Sequence, residues 1–164
     1  LTPLPITINY ETPETLGNDR IANVVAASVL YPNKNILIID AGTCITIDFI
    51  DQNKEYQGGR ISPGIEMRYK SLHKFTSQLP KLSVNNNAQQ IGKDTNSSII
   101  SGVEKGVVAE IDTIITDFKN ENENLCVIVT GGDTFFFENT LKNSIFADQN
   151  LVLKGLNEIL KYNE

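Results

Sequence analysis

Two apolar runs, Ile36 to Ile39 and Ile45 to Phe49, flank the short stretch Asp40-Ala41-Gly42-Thr43-Cys44. The second run alternates apolar and polar residues, the period of a strand with one buried face. Strand, tight turn, strand is the reading this spacing supports, and it commits the middle of the chain to a hairpin. The turn also has a chemical reading. Gly42 has no Cβ, so its backbone can come close to an anion. Turn amides and the hydroxyls of Thr43 and Thr46 can donate to phosphate oxygens. Asp40 cannot bind phosphate directly and would need a cation in between. An ordinary hairpin with polar turn residues explains the same segment, and the segment alone leaves both readings open.

A length of 164 residues allows one domain with a sizeable core. The net charge of −6 argues against a broad nucleic-acid surface, which needs a basic face. It leaves room for a small anionic ligand, which needs only a few local donors. Cys44 and Cys126, each in or beside an apolar strand pattern, read as two buried thiols. That implies no disulfide framework, a reducing compartment and a cytoplasmic location. No CxxC or histidine cluster offers a transition-metal site, and His73, beside Lys74, reads as a surface residue. No apolar stretch reaches bilayer length, so no membrane partner is expected. The chain opens Leu1-Thr2-Pro3 without a methionine and with no charged-then-apolar leader, which suggests a processed, cut or engineered product.

Along the chain, Ile6 to Tyr10 alternates as a strand, and Glu11 to Gly17 is a loop punctuated by Pro13 and Gly17. Asn18 or Asp19 then caps a helix running to about Leu30, apolar on most sides and ended by Pro32. After the hairpin, Gly58 to Gly64 reads as a glycine-rich connection into a helix from Ile65 to Ser77. Lys81 to Gln90 reads as a surface loop. Thr95 to Phe118 is the clearest helix, with Ile99, Val103, Val107, Ile111 and Ile115 among the residues stepping by three and four. Gly102 and Gly106 within it each cost roughly 1 kcal/mol relative to Ala, which suggests close approach of another helix, across a subunit interface for example. Leu125 to Val129 is a short buried strand, followed by helices near Phe135 to Leu141 and from Leu151 to Tyr162. The order predicts an α/β fold, with chemistry at strand ends and helix starts.

Four clusters carry candidate chemistry. Gly17-Asn18-Asp19-Arg20 sits where a loop enters a helix. Asp19 reads either as a plain helix-start acid or as a carboxylate base with Arg20 beside it as an anion clamp. Asp40, Gly42, Thr43 and Thr46 form the second cluster. The third is Gly58 to Gly64, either a simple connection or an anion-facing helix start. The fourth, Thr130-Gly131-Gly132-Asp133, is a turn whose bare backbone could accept a flat nucleobase or ribose.

Taken in order, these clusters resemble the type III pantothenate kinases, members of the actin-like, sugar-kinase and Hsp70 ATPase superfamily. The matching segments are Tyr10 to Arg20, Asp40 to Asp48, Gly58 to Met67 with Leu79-Pro80 after it, Gly92-Lys93-Asp94-Thr95, and Thr130 to Asp133. The resemblance implies an actin-like, ribonuclease H-like lobe with a mixed sheet flanked by helices. It implies ATP-dependent phosphorylation of pantothenate to 4′-phosphopantothenate, the entry to coenzyme A. Asp19 would be the general base. Tyr10, Gly17, Asn18, Asp19 and Arg20 would hold pantothenate, joined by Thr95 from the other subunit of a homodimer. Gly42, Thr43, Gly131 and Gly132 would contact ATP, which brings magnesium. Asp40 would bind a monovalent cation, potassium or ammonium.

One departure stands out. Family members begin with an Asp-x-Gly-Asn-Thr turn that grips ATP phosphates, and residues 1 to 20 contain nothing like it. The expectation is therefore a remnant of the first lobe in residues 1–33 and the second lobe in residues 34–164, with little activity from this chain alone. Two other functions stay open. Another actin-like phosphotransferase or phosphohydrolase, such as an exopolyphosphatase, would need no Tyr10 to Arg20 pocket. A non-catalytic accessory or binding module would need no base.

Overall fold

The computed structural model describes residues 2–164. Among them is one six-stranded mixed sheet flanked by helices. Its strands are β1 (Thr7–Ile8), β2 (Ile36–Ala41), β3 (Cys44–Ile50), β4 (Glu55–Pro63), β5 (Cys126–Thr130) and β6 (Phe146–Ala147). Its helices are α1 (Asn18–Leu30), α2 (Ile65–Phe75), α3 (Thr95–Ile100), α4 (Gly106–Glu121), α5 (Thr134–Thr140) and α6 (Leu151–Tyr162).

The hairpin predicted from the two apolar runs is β2–β3, paired antiparallel from Ile36↔Ile50 to Ala41↔Ile45. β4 continues antiparallel on the outer side of β3, and β5 and then β6 add in parallel on the other side of β2. The order across the sheet is β1-β4-β3-β2-β5-β6. Three antiparallel strands followed by two parallel ones, with the first strand central, is the ribonuclease H-like order of an actin-like lobe. β1 joins the far edge, parallel to β4.

Period-2 alternation sorts the sheet into two faces. Leu37 and Ile39 of β2, with Val127 and Val129 of β5, point to a core closed by α2 to α5. Ile36 and Ile38, with Cys126 and Ile128, point the other way, to Val24 and Ala27 of α1 and Leu151 of α6. The helices α1 and α6 meet backbone to backbone, because a Cβ on Gly155 would lie 1.8 Å from the Ala22 carbonyl oxygen.

Four expectations change. Gly58 to Ser62 is not a connecting loop but part of β4, and the loop before α2 shrinks to Gly64. Gly58, at φ +107°, sits where β3 and β4 slip register between Phe49 and Ile50, a bulge that glycine accommodates. The strand expected over Ile6 to Tyr10 pairs only at Thr7–Ile8. The helix over Thr95 to Phe118 is interrupted by a wide π turn, Ser101–Lys105. There Glu104 turns inside and accepts from the Tyr69 hydroxyl at 2.8 Å. Among the described residues a Cβ on Gly102 or Gly106 would meet nothing within 4 Å, so a close approach there could come only from outside them, as across a subunit interface. Lastly, Cys126 is buried but Cys44, at the hairpin turn, is exposed.

No described helix is long and apolar enough to cross a membrane.

Candidate functional site

Positions 36, 38 and 40 of β2 share the face covered by α1, and the third is an acid. Asp40 therefore ends an apolar column at the mouth of the hairpin. Thr46 faces it across β3, and Thr130 lies beside it on β5. From α1, the Asn23 Nδ2 donates to Asp40 Oδ2 at 2.8 Å. Among the described residues two buried side-chain oxygens lack partners, Asn23 Oδ1 and Thr46 Oγ1, and both belong to neighbours of Asp40. Buried acceptors are nearly always satisfied, so this group has spare capacity for a donor or a cation.

Desolvation pushes the Asp40 carboxyl above its usual range. The Asn23 hydrogen bond opposes that rise, and the charges of Asp19 and Asp48 add to it. Asp19 lies one helical turn before Asn23, which hydrogen-bonds Asp40, so the two predicted acids share one neighbourhood. Asp19 stands exposed in the first turn of α1, after Gly17 at the N-cap. Its Oδ1 accepts from the Arg20 amide at 2.8 Å. Gly17 is tightly used, because a Cβ there would lie 2.5 Å from Asp19 Oδ1.

The turn after β5 closes over the same strand end. Gly131 has φ +92°, and a Cβ on it would lie 2.5 Å from Asp40 Oδ1. The Asp133 amide donates to the Ala41 carbonyl at 2.9 Å. Gly132 faces open space, as does Gly42 in the hairpin turn. Thr43, next to Gly42, is exposed, and its carbonyl accepts from the Gly64 amide at 3.0 Å. Asp40, Gly42, Thr43, Gly131 and Gly132 thus gather around one end of β2.

Arg20 points into the protein, only 6% exposed. Its Nε and Nη2 donate to Asp48 Oδ1 at 3.0 and 2.6 Å, and Nη2 also donates to the Tyr56 hydroxyl at 2.9 Å. Tyr10 lies over the same guanidinium, its ring centroid 6.0 Å from Cζ. A cleft of about 550 Å³ runs along Tyr10, Glu11, Thr12 and the bare backbone of Gly58 and Gly59. Asn18 is exposed beside Asp19. Thr95 is exposed at the start of α3, which packs on the opposite face of the sheet, so this chain does not bring it to Asp19. A second cleft, of about 540 Å³, lies along the outer side of α4, away from these carboxylates. Its Asp112 is already occupied by the Lys142 and Asn143 amides at 3.1 Å.

Sequence reasoning missed Asn23, Asp48 and Tyr56. A signal existed for the first, which lies four residues after Asp19 and so on the same helix face. Asp48 also announced itself, as an acid at an inward position of an apolar strand. Among the described residues no three His, Cys, Asp or Glu side chains cluster as a metal site. The groups around Asp40 offer oxygen donors only, the kind of ligand that hard cations take.

The strand order, with helices on both faces, defines an actin-like, ribonuclease H-like lobe. Within that class, the family model for type III pantothenate kinase matches residues 2–117, and the chain belongs to this family of kinases. A type III pantothenate kinase of Bacteroides fragilis is 54% identical over 162 residues, covering 99% of this chain and 67% of that relative. One from Christiangramia forsetii is 51% identical, covering 100% and 68%. A Campylobacter jejuni crystal structure, described as a conserved Baf family transcriptional activator, superposes with a TM-score of 0.68 at 28% identity. That match covers 96% of this chain and 68% of the other.

Proposed function

We propose that this chain carries the acceptor site and part of the nucleotide site of an enzyme that phosphorylates pantothenate with ATP, giving 4′-phosphopantothenate. The observation that carries the reading is the convergence of Asp19 and Asp40 beside one strand end, one exposed and one desolvated. Transfer of a phosphoryl group needs an aligned hydroxyl, a proton acceptor and neutralised phosphate charge. The pantothenate hydroxyl oxygen bonds to the γ-phosphorus, the bond to the ADP oxygen breaks, and Asp19 takes the hydroxyl proton. Tyr10, Gly17 and Asn18 border the acceptor, with the buried Arg20 behind Tyr10 and Thr95 contributed by the second copy of a homodimer. Gly42, Thr43, Gly131 and Gly132 line the nucleotide side, where ATP arrives with magnesium.

Asp40, with the unpartnered Asn23 Oδ1 and Thr46 Oγ1 next to it, would hold potassium or ammonium. Such an ion supplies positive charge beside the nucleotide. The same reading divides the chain into residues 1–33, the end of a first lobe, and residues 34–164, a second lobe, working in the cytoplasm.

The test, on the full-length protein that contains this chain, is ADP release with and without pantothenate. Dependence on pantothenate is expected, and Asp19→Asn should lower kcat by about 10²–10⁴ with little change in ATP binding. Phosphate release that ignores pantothenate would move the assignment to a phosphohydrolase, and an unchanged kcat in the variant would remove Asp19 from the base role.

A further inference from the structure

We propose that Asp48 and Tyr56 are positioning residues for this reaction: they lock the Arg20 guanidinium and, through it, the first turn of α1 that carries Asp19. The proposal rests on the kinase reading above. Asp48 is 1% exposed, between Ile47 and Phe49 of β3. A buried ion pair is a poor way to gain stability, because well-packed apolar residues of similar volume often do as well or better. The groups at its two ends show what it can orient.

The geometry around it is closely determined. Asp48 Oδ1 accepts from Arg20 Nε at 3.0 Å, from Arg20 Nη2 at 2.6 Å and from the Tyr56 hydroxyl at 2.7 Å. Its Oδ2 accepts a further bond from Nε at 3.2 Å. Space for the pair is made by Gly59, where a Cβ would lie 2.6 Å from Asp48 Oδ1 and 2.7 Å from Arg20 Nη2. Residues from β3, β4 and α1 therefore meet at one guanidinium.

Two routes lead from that guanidinium to the site. Along the chain, the Arg20 amide donates to the Asp19 carboxylate, so fixing Arg20 fixes the peptide that orients the base. Across space, the guanidinium lies under the Tyr10 ring, which borders the 550 Å³ cleft. Tyr56 stands beside Tyr10, with ring centroids 6.0 Å apart. An ion pair of purely structural use has no need to end on the neighbour of the base and on the wall of the cleft.

Tyr56→Phe is the sharpest probe, since it removes one hydroxyl and keeps the ring and the ion pair. We expect ATP KM to stay unchanged, pantothenate KM to rise about threefold to tenfold and kcat to fall. Amide hydrogen exchange at residues 18–21 should speed up about fivefold or more, while the β2 and β5 amides keep their protection. Asp48→Asn should go further in the same direction, and Asp48→Glu should recover less than the native residue does. A Tyr56→Phe protein with native KM, kcat and exchange at 18–21 would overturn the proposal. So would losses that affect both substrates equally and follow global stability. If the full-length protein that contains this chain lacks pantothenate-dependent ADP release, the kinase reading itself fails, whereas an active full-length parent with an indifferent variant sinks only the positioning role.

Discussion

Arg20 and Asp19 are adjacent in sequence and yet face different solvents. The carboxylate looks outward from a helix start, and the guanidinium is drawn inward by Asp48. Strong opposing effects meet at the arginine. Burial alone would lower its pKa, but the Asp48 hydrogen bond and charge outweigh that and hold it fully ionised. The two cysteines show a similar contrast. Both looked buried from their apolar neighbours, but Cys44 is the first residue of β3, at the open hairpin turn, paired with Pro63 and exposed. Burial pushes the Cys126 thiol up, so its thiolate is scarce as well as enclosed. A colorimetric thiol reagent should therefore label one cysteine quickly in the native protein and the second only as it unfolds. Peptide mapping should place the fast label on Cys44, and equal labelling rates would contradict this account of the turn.

Among the elements, helices and the hairpin were legible because their periods persist over many residues. The π turn was not, since Ile99, Val103, Val107 and Ile111 keep helical spacing straight through it. β4 was hidden for the opposite reason: Gly58 and Gly59 break the alternation, and they are there for a bulge and for the Arg20–Asp48 pair. β6, two exposed residues, carries no pattern at all. Glycine within helices gives a discriminating experiment. Replacing a helical glycine by alanine ordinarily stabilises by roughly 1 kcal/mol. Gly106→Ala should follow that rule, because its Cβ would enter open space. Gly155→Ala should reverse it, losing roughly 1–3 kcal/mol, because the new methyl meets the rigid Ala22 backbone. Urea denaturation of the two variants checks both signs. A destabilised Gly106→Ala would show that something outside this chain does pack against that face.

At the scale of the whole molecule, Asp19, Asp40 and Asp48 share one neighbourhood, with Arg20 paired to Asp48. The segments holding these acids were legible as glycine- and threonine-marked turns. Their convergence was not legible, because it depends on α1 packing beside the end of β2, a long-range fact that no local spacing encodes. It has a consequence for stability. The folded Asp40 carboxyl has a pKa above its ordinary 3.8, so between those two values the native state binds more protons than the unfolded chain. Stability from this group is complete below pH 3.8, falls as pH rises through the window up to the raised value, and stays lost at neutral pH. A cation on Asp40 would offset that loss only where the carboxylate is ionised. Potassium chloride should therefore raise Tm clearly at pH 7 and little near pH 4, relative to tetramethylammonium chloride at equal ionic strength. At a potassium concentration about 100-fold above its Kd, the gain would be about 2.7 kcal/mol. Asp40→Asn should erase the potassium response and, in potassium-free buffer at pH 7, melt no lower than the parent. Equal gains in both salts, or a response that survives in Asp40→Asn, would place the ion elsewhere and leave Asn23 Oδ1 and Thr46 Oγ1 without the partner proposed for them.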